Sequence, residues 1–383
     1  MKTPSLDLFI FADALGWTLV QKRRFMEDLF PHRQPCETLF GYSCTCDPTI
    51  LTGALPQDHG HFSFFIHDRV GHAPFRWARN LGWLPEIVAG HHRIRNRISR
   101  WTARARGYTG YFQLYSVPFS KLPWLDYTEK RDIYEPGGIL GGQPTIFEHW
   151  KESGLPWMRS DWRNNDATNV EQLKAALEKG EVRLAYLFTS GLDATMHAHT
   201  TESAATDAAF ARFEQWLREI HTIAQGRYEQ VRLHLFSDHG MTDTRQVSSM
   251  MPDFEALGLR FGHDYVAAWD STMARFWFTG SPSVRERVAA WLGQRTEGRI
   301  VTEAELKEWG CHFPDGRYGE LFYLLDNGVI FAPSFMNQRR VPAMHGFDPN
   351  EPDSAACWLT NYPCPNPPRR LDGIYKVMSQ AAG

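Results

Sequence analysis

A chain of 383 residues is long enough for one large core, or for one core with a smaller appended part. Hydrophobic residues at 43% and charged residues at 22% exclude a disordered polymer. The formal net charge of -3 argues against general binding to a nucleic-acid duplex, and no stretch is long and apolar enough to span a bilayer.

Residues 6–12 (LDLFIFA) read as a buried strand ending at Asp13. The run starts almost at Met1 and lacks a basic leader, so it does not read as a secretory signal, and the expected location is cytoplasmic. Cys36, Cys44, Cys46, Cys311, Cys357 and Cys364 fit no zinc-ribbon or C-x-x-C spacing and read as scattered reduced thiols. Residues 62–140 are rich in Trp, Arg and aromatics, with little periodicity, and read as a cap inserted in the main domain. Residues 87–125 contain no acidic residue, yet Arg93, Arg95, Arg97, Arg100, Arg104 and Arg106 fall among them. Ile94, Ile98 and Trp101 recur there at helical spacing. Two readings stay open: a solvated basic face, or a site for an anionic group or an acidic membrane surface, with peripheral membrane contact.

Thr168-Asn169-Val170-Glu171 has the form of a capping box opening a helix to Lys179. Residues 182–189 (VRLAYLFT) read as a second strand, followed by Ser190-Gly191-Leu192-Asp193. Ala209, Phe213, Trp216, Leu217, Ile220 and Ala224 follow helical spacing. Residues 231–236 (VRLHLF) form a third strand pattern, followed by Ser237-Asp238-His239-Gly240. Residues 265–335 read as a small α+β lobe. In it, residues 271–278 suggest a strand, 283–292 a helix, and Asp326-Asn327-Gly328 a hairpin turn between 320–325 and 329–332. A last helix is expected at 371–379. The expected fold class is α/β: a mostly parallel sheet sandwiched by helices in a single catalytic domain, 1–383, carrying the cap and the lobe.

In such sheets the ligand site lies at the carboxyl ends of the strands. Asp13, Asp193 and Asp238 all sit there, with His197 and His239 close to two of them, and His345 comes from the far end of the chain. Mixed carboxylate and imidazole donors suit zinc, and also manganese or iron, and suit magnesium or calcium poorly. Two divalent ions about 4 Å apart would clamp the attacking and leaving oxygens of an in-line displacement at phosphorus.

Several segments share an order along the chain: Thr52-Gly53 with Pro56 and His59-Gly60, Asp193-Ala194-Thr195-Met196-His197, Ser237-Asp238-His239-Gly240-Met241, Ser271-Thr272-Met273-Ala274-Arg275-Phe276-Trp277, and Met344-His345-Gly346-Phe347-Asp348-Pro349. Together they resemble the type I phosphodiesterase/nucleotide pyrophosphatase branch of the alkaline phosphatase superfamily, over residues 1–60 and 180–350. The resemblance implies a nucleophile nine residues before Thr52, which is Ser43. It also implies that Asp13, Ser43, Asp238 and His239 hold one ion, that Asp193, His197 and His345 hold the other, and that Ser43 is transiently phosphorylated. Thr is the more usual nucleophile in this branch, and a shifted loop would put Thr45 or Thr49 in that role. Where the branch often has an Asn about twenty-one residues after the nucleophile, this chain has Phe64, which weighs against nucleotide substrates.

The expected reaction is hydrolysis of a phosphodiester or pyrophosphate bond in a small-molecule, lipid-linked or sugar-linked ester. Alternatives are a phosphomonoesterase or phosphotransferase on lipid- or sugar-linked phosphate, and a non-catalytic lipid or glycan binder on the same scaffold. His61, His199, His234 and His263 read as core or surface histidines, with His199 the one nearest a substrate.

Overall fold

The computed structural model describes residues 2–81 and 92–383; the part of the cap expectation at 82–91 lies outside the described residues. The apolar runs assemble into a six-stranded sheet in the order His32–Cys36, Ala356–Thr360, Tyr228–Phe236, Thr3–Ala12, Leu184–Thr189, Trp157–Arg159. Only Ala356–Thr360 runs against the other five. The sheet is covered on both faces, so its strands read as continuous hydrophobic runs rather than alternating ones.

Strand Thr3–Ala12 feeds both cores. Leu6, Leu8, Ile10 and Ala12 pack against the helices Asp166–Lys179 and Ala204–Arg227. Phe9 and Phe11 face the opposite layer, made by the helices Ser43–Thr52, Ile146–Ser153 and Asp372–Gln380. The period-two alternation of a strand divides these side chains between the two layers.

Register decides where the site forms. Ala12 lies opposite Thr189, and Phe11 lies opposite Phe236. The chain therefore leaves the sheet at one level at Asp13, Ser190 and Ser237, which puts the polar clusters that follow the strands beside one another.

A second, four-stranded antiparallel sheet runs Tyr265–Trp269, Met273–Phe278, Leu321–Leu325, Gly298–Val301. It shares one apolar core with the aromatic insert, in which Phe65, Phe112, Leu114 and Tyr127 meet Phe254, Trp269 and Phe335.

Three local expectations change. The helix ending at Lys179 starts at Asp166, and its cap is Asn165, whose side chain accepts from the Thr168 N–H at 2.9 Å. Asp326-Asn327-Gly328 does turn the chain, but no hairpin follows. Val329–Phe331 pairs in parallel with Gln246–Ser248 because the Gly328 carbonyl accepts from the N–H groups of Arg245 and Gln246. The arginine-rich helix, His92–Arg106, is not one solvated face. Arg95 is buried and donates to the carbonyls of Tyr115 and Val117, whereas Trp101 is exposed. Among the described residues no helix is long and apolar enough to cross a membrane. All six cysteines are free thiols, five of them buried.

Candidate active site

Ser43 is the first residue of the helix Ser43–Thr52 and lies at the carboxyl edge of the sheet. Its hydroxyl is 3.0 Å from His239 Nε2. Thr45 and Thr49 sit about half a turn and somewhat more than one and a half turns on and are fully buried. They donate to the carbonyls of Phe62 and Thr45, away from the cavity. The geometry therefore brings Ser43, and neither threonine, to the sheet edge.

The six other candidate residues gather in two groups, Asp13 with Asp238 and His239, and Asp193 with His197 and His345. Within each group one donor atom per residue lies within 4.8 Å of the others. The groups adjoin, since the rings of His239 and His345 stack with centroids 3.7 Å apart. Asp193 and His197 share a face of the helix Gly191–His199 because they are four residues apart.

Two histidines have their tautomers set by the backbone. His239 Nδ1 donates to the Gly240 carbonyl at 2.9 Å, and His197 Nδ1 donates to the Ala343 carbonyl at 2.8 Å. A carbonyl cannot donate, so Nδ1 carries a proton and Nε2 is the nitrogen that faces the site. His239 Nε2 then lies 3.0 Å from Asp238 Oδ2, and His197 Nε2 lies 3.2 Å from Asp193 Oδ1. Nε2 facing a carboxylate oxygen calls for a positive charge between them, a proton or a metal ion. Asp13 Oδ1, Asp193 Oδ1 and Asp238 Oδ2 are buried without any hydrogen-bond partner, which a native fold seldom tolerates. This donor set fits divalent cations.

The electrostatics agree. Burial, then the charges of Asp238 and Asp193, push the Asp13 carboxyl far above the usual range. Burial works against the charged form of Asp238 too, but positive charge at His239, in the place a bound cation would take, holds its carboxyl low, and Asp238 and Asp193 in turn raise His239 and His197 against the effect of burial. Burial, then the neighbouring His239 and His197, push His345 down and favour its neutral, metal-binding form.

Second contacts hold the loops. The Tyr42 hydroxyl is 2.8 Å from Thr272 Oγ1, which donates to the Gly346 carbonyl at 2.6 Å. This links the residue before Ser43 to the residue after His345 through the small sheet. Gly346 has φ of +84°, and a Cβ there would fall 2.5 Å from the Tyr42 ring, so only glycine fits without strain.

Ser43 and the Asp193 group open into a cavity of about 660 Å³ whose other walls come from the insert, from the loop carrying Trp162 and from Met336, Asn337 and Val341. Phe64, Tyr111, Tyr115, Glu129 and Trp162 line it. Asp47 lines it as well, one helical turn after Ser43, a spacing readable from the sequence. Of these, only Phe64 stands out in the sequence, as an anomaly. Of the other histidines, His61 accepts from the Leu140 N–H, His234 meets Asp7, and His263 is exposed beside Asp264. His199 is exposed at its helix end and does not line the cavity.

Two carboxylate–imidazole groups on the carboxyl edge of a helix-sandwiched, mostly parallel sheet define a protein of the alkaline phosphatase superfamily. Within it, the chain belongs to the family of type I phosphodiesterases / nucleotide pyrophosphatases, whose model it matches over residues 12–348. No curated protein matches it significantly. Among solved structures it is similar to murine ectonucleotide pyrophosphatase / phosphodiesterase 5, at 14% identity and a TM-score of 0.67, covering 100% of this chain and 95% of the other. An inactive threonine-to-alanine variant of that mouse protein in complex with AMP is similar to the same degree. The human counterpart is 13% identical, with the same TM-score and coverage.

Proposed function

We propose that the chain is a metal-dependent hydrolase that cleaves phosphodiester or pyrophosphate bonds through a phosphorylated Ser43. Family membership supports the reaction class. The observation that carries the nucleophile is the Ser43 hydroxyl, 3.0 Å from His239 Nε2 and beside buried carboxylate oxygens that have no partner.

Asp13, Asp238 and His239, with Ser43, would hold one cation, and Asp193, His197 and His345 the other. Zinc suits the mixed donors best and manganese next. When bound, two such ions supply positive charge that lowers the pKa of a hydroxyl and stabilises a leaving oxygen. Ser43 Oγ forms a bond to phosphorus as the bond to the leaving alcohol breaks, and the alcohol departs on the cavity side. The helix starts at Ser43, so its first N–H groups would help hold the phosphoryl oxygens. Water then cleaves the Ser43–phosphorus bond and restores the hydroxyl. The AMP bound to the mouse relative supports a small phosphate ester as substrate.

The test is turnover of bis-p-nitrophenyl phosphate by the purified protein, with p-nitrophenyl phosphate alongside. Diester turnover is expected, to be lost with a chelator and regained with zinc or manganese. Ser43→Ala is expected to lower kcat by roughly a thousandfold or more. Preference for the monoester would make the protein a phosphatase. No turnover of either ester would leave a binding protein on this scaffold.

A further inference from the structure

The helix His92–Arg106 takes no part in the site, since none of its residues lines the cavity at Ser43. Its inner face is fixed by packing. Arg95, Ser99 and Thr102 are buried. Arg95 Nη1 donates to the Val117 carbonyl at 2.6 Å, and the Ser99 hydroxyl accepts from the Leu114 N–H at 3.0 Å. That packing decides which side chains turn outward. Arg93, Arg97, Arg100 and Arg104, spaced by four, three and four residues, form one exposed stripe. Ile94 and Trp101, about two turns apart, are exposed along its edge, Trp101 at 71%.

Both features disfavour the protein alone in water. Like charges three and four residues apart on a helix repel one another. Residues 87–125 hold no acid to relieve them, and among the described residues no carboxylate pairs with Arg97, Arg100 or Arg104. Six large hydrophobic side chains are exposed among the described residues, and four of them, Val70, Trp77, Ile94 and Trp101, come from this part of the insert. The end of the helix carries the charge on toward Trp77. Arg106 Nη2 donates to the Pro74 carbonyl at 3.4 Å, beside a hollow of about 690 Å³ lined by His72, Arg76, Trp77, Arg106, Tyr108 and Lys130. Lys130 is paired with Asp126 at 2.6 Å, whereas Arg76 and Arg106 have no carboxylate partner among the described residues.

Arginine alone suits any polyanion, because its guanidinium matches phosphate geometry and is weakly hydrated. Exposed Trp and Ile among the arginines narrow the choice. They suit a surface that is charged outside and apolar just beneath, and indole rings settle at that boundary in a bilayer. The net charge of -3 over the whole chain makes the contact directional, since the basic face is attracted to an anionic leaflet and the acidic remainder is not.

We propose that the outer face of the helix His92–Arg106, together with the hollow at Arg76 and Arg106, docks on the anionic lipid headgroups of a membrane, with Arg97, Arg100 and Arg104 meeting the phosphates and Trp101 entering the interface.

The test is cosedimentation of the full chain with vesicles of phosphatidylcholine alone and of phosphatidylcholine mixed with phosphatidylglycerol. Binding to the mixed vesicles is expected to be tighter by about tenfold or more and to weaken as salt is raised. The variant carrying Arg97→Gln, Arg100→Gln and Arg104→Gln is expected to lose that preference. Thermal melting checks its fold, and it is expected to hydrolyse bis-p-nitrophenyl phosphate as the wild type does. Mixed vesicles with brominated acyl chains are expected to quench part of the tryptophan fluorescence, and Trp101→Phe to remove much of that quenching. Binding needs no turnover, so its outcome is independent of the phosphodiesterase reading. Equal binding to the two kinds of vesicle, or full preference in the triple variant, would overturn the proposal. Binding to duplex DNA without quenching by the brominated chains would overturn it too, and would make the face a nucleic-acid site.

Discussion

Asp7 and Glu129 are both buried carboxyl groups, and their neighbours give them opposite pH dependence. Asp7 interrupts an apolar strand and accepts from Arg232 Nε at 2.7 Å and lies 3.1 Å from His234 Nε2. Burial opposes its charge, but the His234 and Arg232 contacts win and hold its carboxyl below the ordinary 3.8. His234 is pushed below its ordinary 6.5 by burial, more than Asp7 restores. In both cases the unfolded chain binds more protons as pH falls, so stability drops below about pH 6.5 through His234 and below about 3.8 through Asp7. Asp7→Asn leaves Arg232 and His234 without their anion. It is expected to cost about 3–5 kcal/mol at neutral pH, read by urea denaturation. A loss under about 1 kcal/mol would show that the cluster is not a stabilising one. Glu129 has the reverse sign: raised to about 8 from 4.5, it lets the native state bind the extra proton, so it weakens the fold as pH rises through that interval. Glu129→Gln is therefore expected to melt higher than the wild type at pH 8, with the gap closing at pH 5. A gap independent of pH would contradict the raised pKa.

At the scale of elements, the helix Ser43–Thr52 and the loop at His345 depend on each other through Tyr42, Thr272 and Gly346. Gly346→Ala introduces both a left-handed alanine and a methyl against the Tyr42 ring. It is expected to cost about 1–3 kcal/mol of stability and to raise the metal concentration needed for half-maximal activity, because His345 shifts with the loop. Unchanged metal dependence would sever the link drawn between the two loops. Elements with strong local signals were legible in the sequence. Three strands announced themselves as apolar runs, and the polar residues after each gave the edge of the site. What failed was whatever tertiary partners decide. The turn at Asp326-Asn327-Gly328 is real, but Val329–Phe331 finds Gln246–Ser248 as a partner rather than the strand before it. The cap of the helix Asp166–Lys179 moved to Asn165 because that side chain reaches the Thr168 N–H.

Across the whole molecule, the two halves of the cavity differ in how far sequence alone could reach them. The donor side comes from strand ends whose register can be argued from the pattern of a parallel sheet. The opposite wall draws Phe64, Tyr111, Tyr115 and Glu129 from an aperiodic insert that folds against the small sheet, and Trp162 from the loop after the edge strand Trp157–Arg159, and no spacing rule brings those residues together. The most direct test of the account is to quench the protein in acid during turnover of a phosphodiester and map the phosphoryl group by peptide mass spectrometry. The account predicts phosphate on Ser43, absent from Ser43→Ala and from chelated protein. Phosphate on Thr45 or Thr49, or turnover that labels no residue, would contradict it.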